Sequence, residues 1–247
     1  MILRIDRHDT VAVVTLNRPE SRNALSGELI SRMRAAFDEL GADAGVRAVV
    51  LTGADPAFCA GLDLREVAGS GANLGMVDDV NGPFSPISKP VIAAVNGACV
   101  TGGLEIALGC DLRIASERAV FSETHARVGV MPGWGLTIRL PKAIGQARAL
   151  QMSLAGTRVD AQTALDWGLV NQVVPHDRLL DAALELAHLM AEPDPHASST
   201  LLRMYREAAQ LPEAEALRHE SATSKAWIAA MDRSGVPTPA DLKARRS

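Results

Sequence analysis

The sequence predicts an α/β fold, and three observations carry that prediction. Short apolar runs suited to strands buried on both faces, Arg47–Thr52 and Val91–Val95, are closed by Gly53 and by Asn96-Gly97. Other stretches place apolar residues at three- and four-residue spacing, as Leu29, Met33, Phe37 and Leu40 do. The two kinds of segment alternate along the chain, which is the α/β pattern.

The elements follow in order. Leu3–Arg7 and Val11–Leu16 are β-rich, and His8-Asp9-Thr10 between them suits a hairpin turn. Asn17-Arg18-Pro19-Glu20 breaks the strand, Ser26 is an N-cap for the helix that follows, and Gly41 ends that helix. From Glu66 to Pro90, Gly, Asn, Asp, Ser and Pro dominate, which reads as a functional or mobile loop. After the strand at 91–95, Gly102–Leu108 reads as a short helix entered through Thr101, and Leu112–Ala115 and Val120–Phe121 as short strands. Trp134–Leu140, Gln146–Leu154 and Ala161–Trp167 then read as helices, and Leu169–Val174 as the last strand. Asp177–Met190 is an amphipathic helix capped by Asp177. Glu192-Pro193-Asp194-Pro195 separates this body from a helical tail, Ala197–Ala230, so a core over 1–190 and a helical oligomerisation region over 191–247 are expected. Within the tail, Leu201, Leu202, Tyr205, Ala209, Leu217, Trp227 and Ile228 are too apolar for a free surface helix, so it is expected to pack against the core or a neighbouring subunit, with Trp227 the residue expected to be buried.

Composition narrows the function. At 247 residues, with 47% hydrophobic and 22% charged, the chain can bury a large core without disulfides or metals. A net charge of −4 leaves no basic footprint for nucleic acid or an anionic membrane. Cys59, Cys99 and Cys110 sit among small or apolar residues and read as buried thiols in a reducing cytosol. No leader and no membrane span is visible, so the expected location is the cytoplasm.

Several chemistries fail on spacing. Gly69-Ser70-Gly71-Ala72-Asn73-Leu74-Gly75 has its third glycine one residue late for a dinucleotide fingerprint, and no strand precedes it. Phosphate-loop and GxSxG signatures are absent, and scattered histidines give a metal little support. Asp78-Asp79 is most simply a solvated charge pair.

Two glycine-containing turns remain, each after a buried strand: Gly53 to Leu64, and Asn96 to Glu105. Small residues and a helix start in the second turn could direct free N–H groups at a developing oxyanion. The plainer reading is that the glycines only permit tight strand-to-helix packing. Glu105 lies in the apolar run Leu104-Glu105-Ile106-Ala107-Leu108, where an unpaired carboxylate is costly. It is either a general base beside the oxyanion donors or a charge set against a helix N-terminus.

At these residues the sequence resembles the crotonase (enoyl-CoA hydratase/isomerase) superfamily. The resemblance runs from Leu16-Asn17-Arg18-Pro19-Glu20-Ser21-Arg22-Asn23-Ala24-Leu25 to Gly168-Leu169-Val170-Asn171-Gln172-Val173-Val174. Between them it takes in Phe58–Leu64, Lys89–Gly97, Gly102–Asp111 and Met131-Pro132-Gly133. It implies a spiral of ββα units with a C-terminal helical region, assembled as a homotrimer or a dimer of trimers, acting on acyl-CoA thioesters. By motif position, the N–H groups of Leu62 and Gly102 look like the oxyanion hole. Backbone around Arg22, Ala24, Ala60, Leu62, Asp63, Leu64 and Gly102 would hold the CoA, with Arg22 placed to meet a phosphate. Glu105 matches the glutamate that activates water for addition at Cβ.

His125 departs from that pattern. It stands where hydratases usually carry a second glutamate that handles the Cα proton, and Glu123 would need a register shift to substitute. A histidine can shuttle a proton or simply pack. The expected reaction is hydration of the 2,3 double bond of an enoyl-CoA, with no metal or redox cofactor because the thioester is the electron sink. The alternatives are isomerisation, decarboxylation or thioester hydrolysis on the same scaffold, or acyl-CoA binding without turnover.

Overall fold

The computed structural model describes residues 1–69, 82–83 and 86–230, without the side chain of residue 67. The glycine-rich 69–75 motif after its first residue, Asp78-Asp79 and most of the expected 66–90 loop fall outside the described residues. So does the chain after Ala230.

Strands β1 (Leu3–His8) and β2 (Val11–Leu16) form the expected hairpin, with Asp9 taking a φ of 53° at its turn. Helix α1 (Gly27–Ala42) starts where Ser26 accepts a hydrogen bond from the Leu29 amide, and it buries Leu29, Met33, Phe37 and Leu40 as the spacing requires. Gly41 does not end it. Lys89 Nζ donates to the carbonyls of Leu40 and Asp43, at 2.5 and 2.6 Å, and so satisfies terminal acceptors that would otherwise need water.

Three ββα units follow. They are β3 (Ala48–Gly53), β4 (Ala57–Cys59) and α2 (Leu64–Gly69); β5 (Val91–Val95), β6 (Ala98–Val100) and α3 (Gly102–Gly109); and β7 (Leu112–Ser116), β8 (Val120–Ser122) and α4 (His125–Val128). The first strand of each unit joins a six-stranded sheet of order β1-β2-β3-β5-β7-β10. The second joins a four-stranded sheet of order β4-β6-β8-β9. Gly53 and Gly97 make the switch between sheets possible, because a Cβ on either would come within 2.3 Å of a backbone oxygen, Ala57 O or Pro56 O. For these two glycines the packing reading is correct.

The chain continues through α5 (Leu136–Ile144), α6 (Gln146–Ala155), β9 (Arg158–Asp160), α7 (Ala161–Asp166), β10 (Gln172–Val174) and α8 (Leu179–Ala191). Asp177 does not cap α8. It lies inside a 3-10 turn, His176–Arg178, and Arg178 precedes the helix with no side-chain cap. Alternation along β2 shows why its strands are buried on both faces: Val11 and Val13 pack with Ala183 and Ala187 of α8, whereas Val14 and Leu16 pack with Leu29 and Phe37 of α1. Each fully buried Val or Leu contributes about 1.5–3 kcal/mol.

The expected tail helix is two helices, α9 (Pro195–Ala208) and α10 (Glu213–Ala230). Leu211 and Pro212 lie in the break, and a proline has no N–H with which to continue a helix. The chain divides into two compact units, Met1–Ser198 and Ser199–Ser247. In the second, Leu201, Tyr205, Leu217 and Ile228 are exposed and Trp227 is half-buried. No helix among the described residues is long and apolar enough to cross a membrane.

Candidate active site

Strands β4, β6 and β8 are neighbouring and parallel, so their C-terminal ends lie side by side. Adjacent strands are about 4.8 Å apart, and three consecutive turns therefore meet at one edge of the smaller sheet. The first carries Gly61-Leu62, the second Thr101-Gly102 and the third Glu123-Thr124-His125.

Gly61 has a φ of +93°, and a Cβ on it would approach to 3.4 Å from the Gly102 nitrogen, which measures how closely the first two turns meet. The Leu25 amide donates to Gly61 O and the Asp63 amide to Leu25 O. Successive amides of an extended segment point to opposite sides, so the intervening Leu62 N–H faces away from Leu25. Gly102 opens α3, where the first N–H groups have no intrahelical acceptor. Among the described residues, neither amide donates to another backbone group. Thr101, before the helix, holds φ 53° and ψ −112°, a conformation that costs about 1–3 kcal/mol. Its amide is tied to Ser122 O and its hydroxyl lies 2.6 Å from that of Thr124, so the second turn is fastened to the third. Gly103 fixes the helix against β4, since a Cβ there would meet Cys59 O at 2.3 Å.

Glu105, on the first turn of α3, is 3% exposed. Its Oε1 accepts the Trp134 amide at 2.8 Å, and Oε2 lies 3.5 Å from His125 Nε2. Burial raises its pKa above the ordinary glutamate value, against the opposing pull of the Trp134 amide and of His125. On the other side of the ring, His125 Nδ1 is 2.5 Å from Glu123 Oε1, which also accepts the His125 amide at 2.8 Å. Burial opposes ionisation of Glu123, but these hydrogen bonds and the His125 charge prevail and lower its pKa. All three side chains are buried. Beside Glu123 and His125 opens a cavity of about 390 Å³ walled mainly by apolar side chains, among them Leu136, Leu140 and Ala149.

The remaining expected site residues lie around the first turn. Arg22 is exposed, with φ 51°. The Ala60 amide donates to Arg22 O, and Ala24 O accepts from Arg18. Asp63 pairs with Arg18 at 2.9 Å, and Leu64 starts α2 with 52% exposure. The amides of Ala60 and Asp63 are thus already engaged within the protein. All three cysteines are buried, and desolvation pushes the Cys59 thiol up to about 12 and raises that of Cys99, so neither of these two offers a thiolate nucleophile. No group of three metal-ligating side chains is found among the described residues.

From the sequence, Glu123 needed a register shift to stand in for the second glutamate. The structure brings it into the site through His125 instead. The available signal was a second carboxylate two residues from His125, in a segment otherwise built for burial. The Trp134 backbone contact with Glu105 had no sequence signal, because any residue supplies an N–H.

The family model for enoyl-CoA hydratase/isomerase matches residues 6–238 of this chain. The chain belongs to that family. Enoyl-CoA hydratase EchA19 of Mycobacterium tuberculosis (strain ATCC 25618 / H37Rv) is 36% identical over 222 residues, covering 87% of this chain and 84% of its own. A solved enoyl-CoA hydratase from Mycobacterium tuberculosis H37Rv is 45% identical, with a TM-score of 0.80 over 93% of this chain and 100% of its own. The enoyl-CoA hydratase from Bacillus anthracis superposes with a TM-score of 0.89 at 33% identity, covering 100% of this chain and 96% of its own. The ββα spiral is the crotonase fold of these family members.

Proposed function

We propose that this member of the family adds water across the 2,3 double bond of an enoyl-CoA thioester. The observation that carries the reading is the 3.5 Å contact between Glu105 and His125, both buried, beside the opening of α3. The thioester oxygen sits between the amides of Leu62 and Gly102, which stabilise the enolate as it forms. Glu105 takes the proton of the attacking water, and His125 delivers a proton to Cα from the position of the second glutamate. Arg22 meets a CoA phosphate, and the acyl chain extends into the cavity beside His125. Relatives that carry the name enoyl-CoA hydratase over most of their length support the substrate class.

The thioester supplies the electron sink, so the reaction needs no metal or redox cofactor. The assembly is a homotrimer or a dimer of trimers, favoured by the exposed Leu201, Tyr205, Leu217 and Ile228 of the second unit, and the location is the cytoplasm. Light scattering that returns a monomer at micromolar concentration contradicts the assembly.

The test is a panel of 2-enoyl-, 3-enoyl- and saturated acyl-CoA thioesters with products identified by mass spectrometry. Only the 2-enoyl thioester should gain water. His125→Ala should lower the rate about 10²–10⁴-fold, and His125→Glu should retain hydration. Shift of a 3-enoyl double bond or release of free CoA without hydration would replace the reading with isomerisation or thioester hydrolysis. Tight binding without any turnover would leave acyl-CoA binding.

A further inference from the structure

Glu123 is unused by the mechanism above, yet it is 2% exposed and its Oε1 grips one residue at two points. That oxygen lies 2.8 Å from the His125 amide nitrogen and 2.5 Å from the ring Nδ1. An ionised carboxylate only accepts hydrogen bonds, so in this contact Nδ1 is the donor. The neutral ring then has its other nitrogen free of a proton, and Nε2 is the atom 3.5 Å from Glu105 Oε2. Resting on the hydration reading, we propose that Glu123 is a positioning residue that holds His125 with Nδ1–H toward itself, so that Nε2 exchanges protons with Cα and with Glu105.

The step balances. As water oxygen bonds to Cβ, Glu105 takes its proton, and the electron pair of the double bond moves toward Cα and the thioester oxygen. The Nε2–H bond of the imidazolium breaks as the C–H bond at Cα forms, with the ring keeping the electron pair. Glu105 then carries one proton too many and His125 one too few. Transfer from Oε2 to Nε2, which lie 3.5 Å apart, restores both through one bridging water or once the pair closes to hydrogen-bond distance. Between the two transfers, when Glu105 already carries the water proton and the ring still holds both of its own, Glu123 is the anion that compensates the imidazolium, and a buried unpaired cation is costly.

The groups around the ring are few. Glu105 comes from α3 and Glu123 from the preceding turn, while Ser153 of α6 bonds to Glu123 as a neutral hydroxyl. Arg127 of the short helix that His125 opens donates to Ala155 O, and among the described residues Glu123 and His125 are the only ionisable side chains lining the neighbouring cavity.

Glu123→Gln keeps the size of the side chain and removes its charge. With a 2-enoyl-CoA, kcat should fall at least tenfold with KM within about twofold, because the ring is no longer held for transfer at Cα. In a His125→Glu background, Glu123→Gln should change kcat less than threefold, since no ring is left to position. An unchanged kcat in Glu123→Gln, in a parent that hydrates and loses activity in Glu105→Gln, overturns the proposal and leaves the hydration reading standing. A parent that hydrates no enoyl-CoA overturns that reading instead, and nitrogen-15 shifts of the His125 ring then decide the positioning. The Nδ1–H tautomer in the parent, lost in a folded Glu123→Ala, supports it; the same tautomer in both overturns it.

Discussion

Replacing Glu105 separates its chemical work from its structural work, because Gln and Ala remove different things. Glu105→Gln removes the base but keeps an oxygen to accept the Trp134 amide, which the parent side chain holds at 2.8 Å. Glu105→Ala removes both, leaving a buried N–H without an acceptor at a cost of about 1–3 kcal/mol. At about 2–4 °C per kcal/mol for a chain of this size, Ala should melt about 2–12 °C below Gln. Activity should not distinguish them: both should lose about 10²–10⁴ in kcat on a 2-enoyl-CoA, followed by loss of the conjugated thioester absorbance.

The pH dependence of that melting adds a sign. Burial raises the folded-state pKa of Glu105 above its unfolded value. A raised carboxyl contributes stability below the unfolded pKa, and the contribution is lost as pH rises through the folded value. Glutamine has no such proton. The melting temperature of Glu105→Gln relative to the parent should therefore rise as the pH is taken from about 5 upward. The lowered pKa of Glu123 acts oppositely, losing stability as pH falls through its folded value, but it is present in both proteins and largely cancels. Activity retained within threefold, or equal melting of Gln and Ala, would refute the reasoning.

The other expectations concern packing and chain length. Gly103→Ala should lower the melting temperature by about 2–12 °C, as a methyl 2.3 Å from Cys59 O forces about 1–3 kcal/mol of displacement, whereas at Gly102 the nearest atom is a movable Leu25 methyl at 3.3 Å and thermal denaturation should show a smaller loss. If the acyl chain enters the 390 Å³ cavity, each added methylene buries about 0.8 kcal/mol, and kcat/KM should rise about fourfold per CH₂ until the cavity fills. Leu150→Trp at the cavity wall should flatten that series; a flat series in the parent contradicts the placement.

What was legible in the sequence followed the length of the signal. The hairpin of β1 and β2, the strand at Val91–Val95 and the Ser26-capped helix each span enough residues to show their period. Strands β4, β6 and β9 have 3 residues each, and three residues show no period; their pairing is with distant segments. Two of them, β4 and β6, assemble the site together with β8. Leu62, Gly102, Glu105 and His125 were named by motif position, and the order β4-β6-β8 is what brings their turns to one edge of the smaller sheet. The helical tail was legible as helix and as apolar, and its break around Pro212 was missed because the apolar spacing was followed across the proline.

Under the proposed hydration mechanism, the departure at His125 is confined to one of the three turns. The Gly61-Leu62 and Thr101-Gly102 turns present backbone, which is set by φ values and by glycines that any change of side chain elsewhere leaves intact. The third turn presents side chains, so its chemistry can change without disturbing the sheet behind it. A histidine introduced there brings a positive charge whenever the ring is doubly protonated, into a place where all three ionisable groups are buried. Glu105 cannot balance that charge through a cycle in which it is itself protonated. The second carboxylate, Glu123, lies two residues from the ring on the same turn and needs no further element to bring it there. With Glu105 and Glu123 ionised and the ring protonated, the cluster carries one net negative charge, the same as two glutamates sharing one proton. In the proposed mechanism a histidine can therefore take the second proton-transfer role in this chain, because its own turn supplies the missing anion.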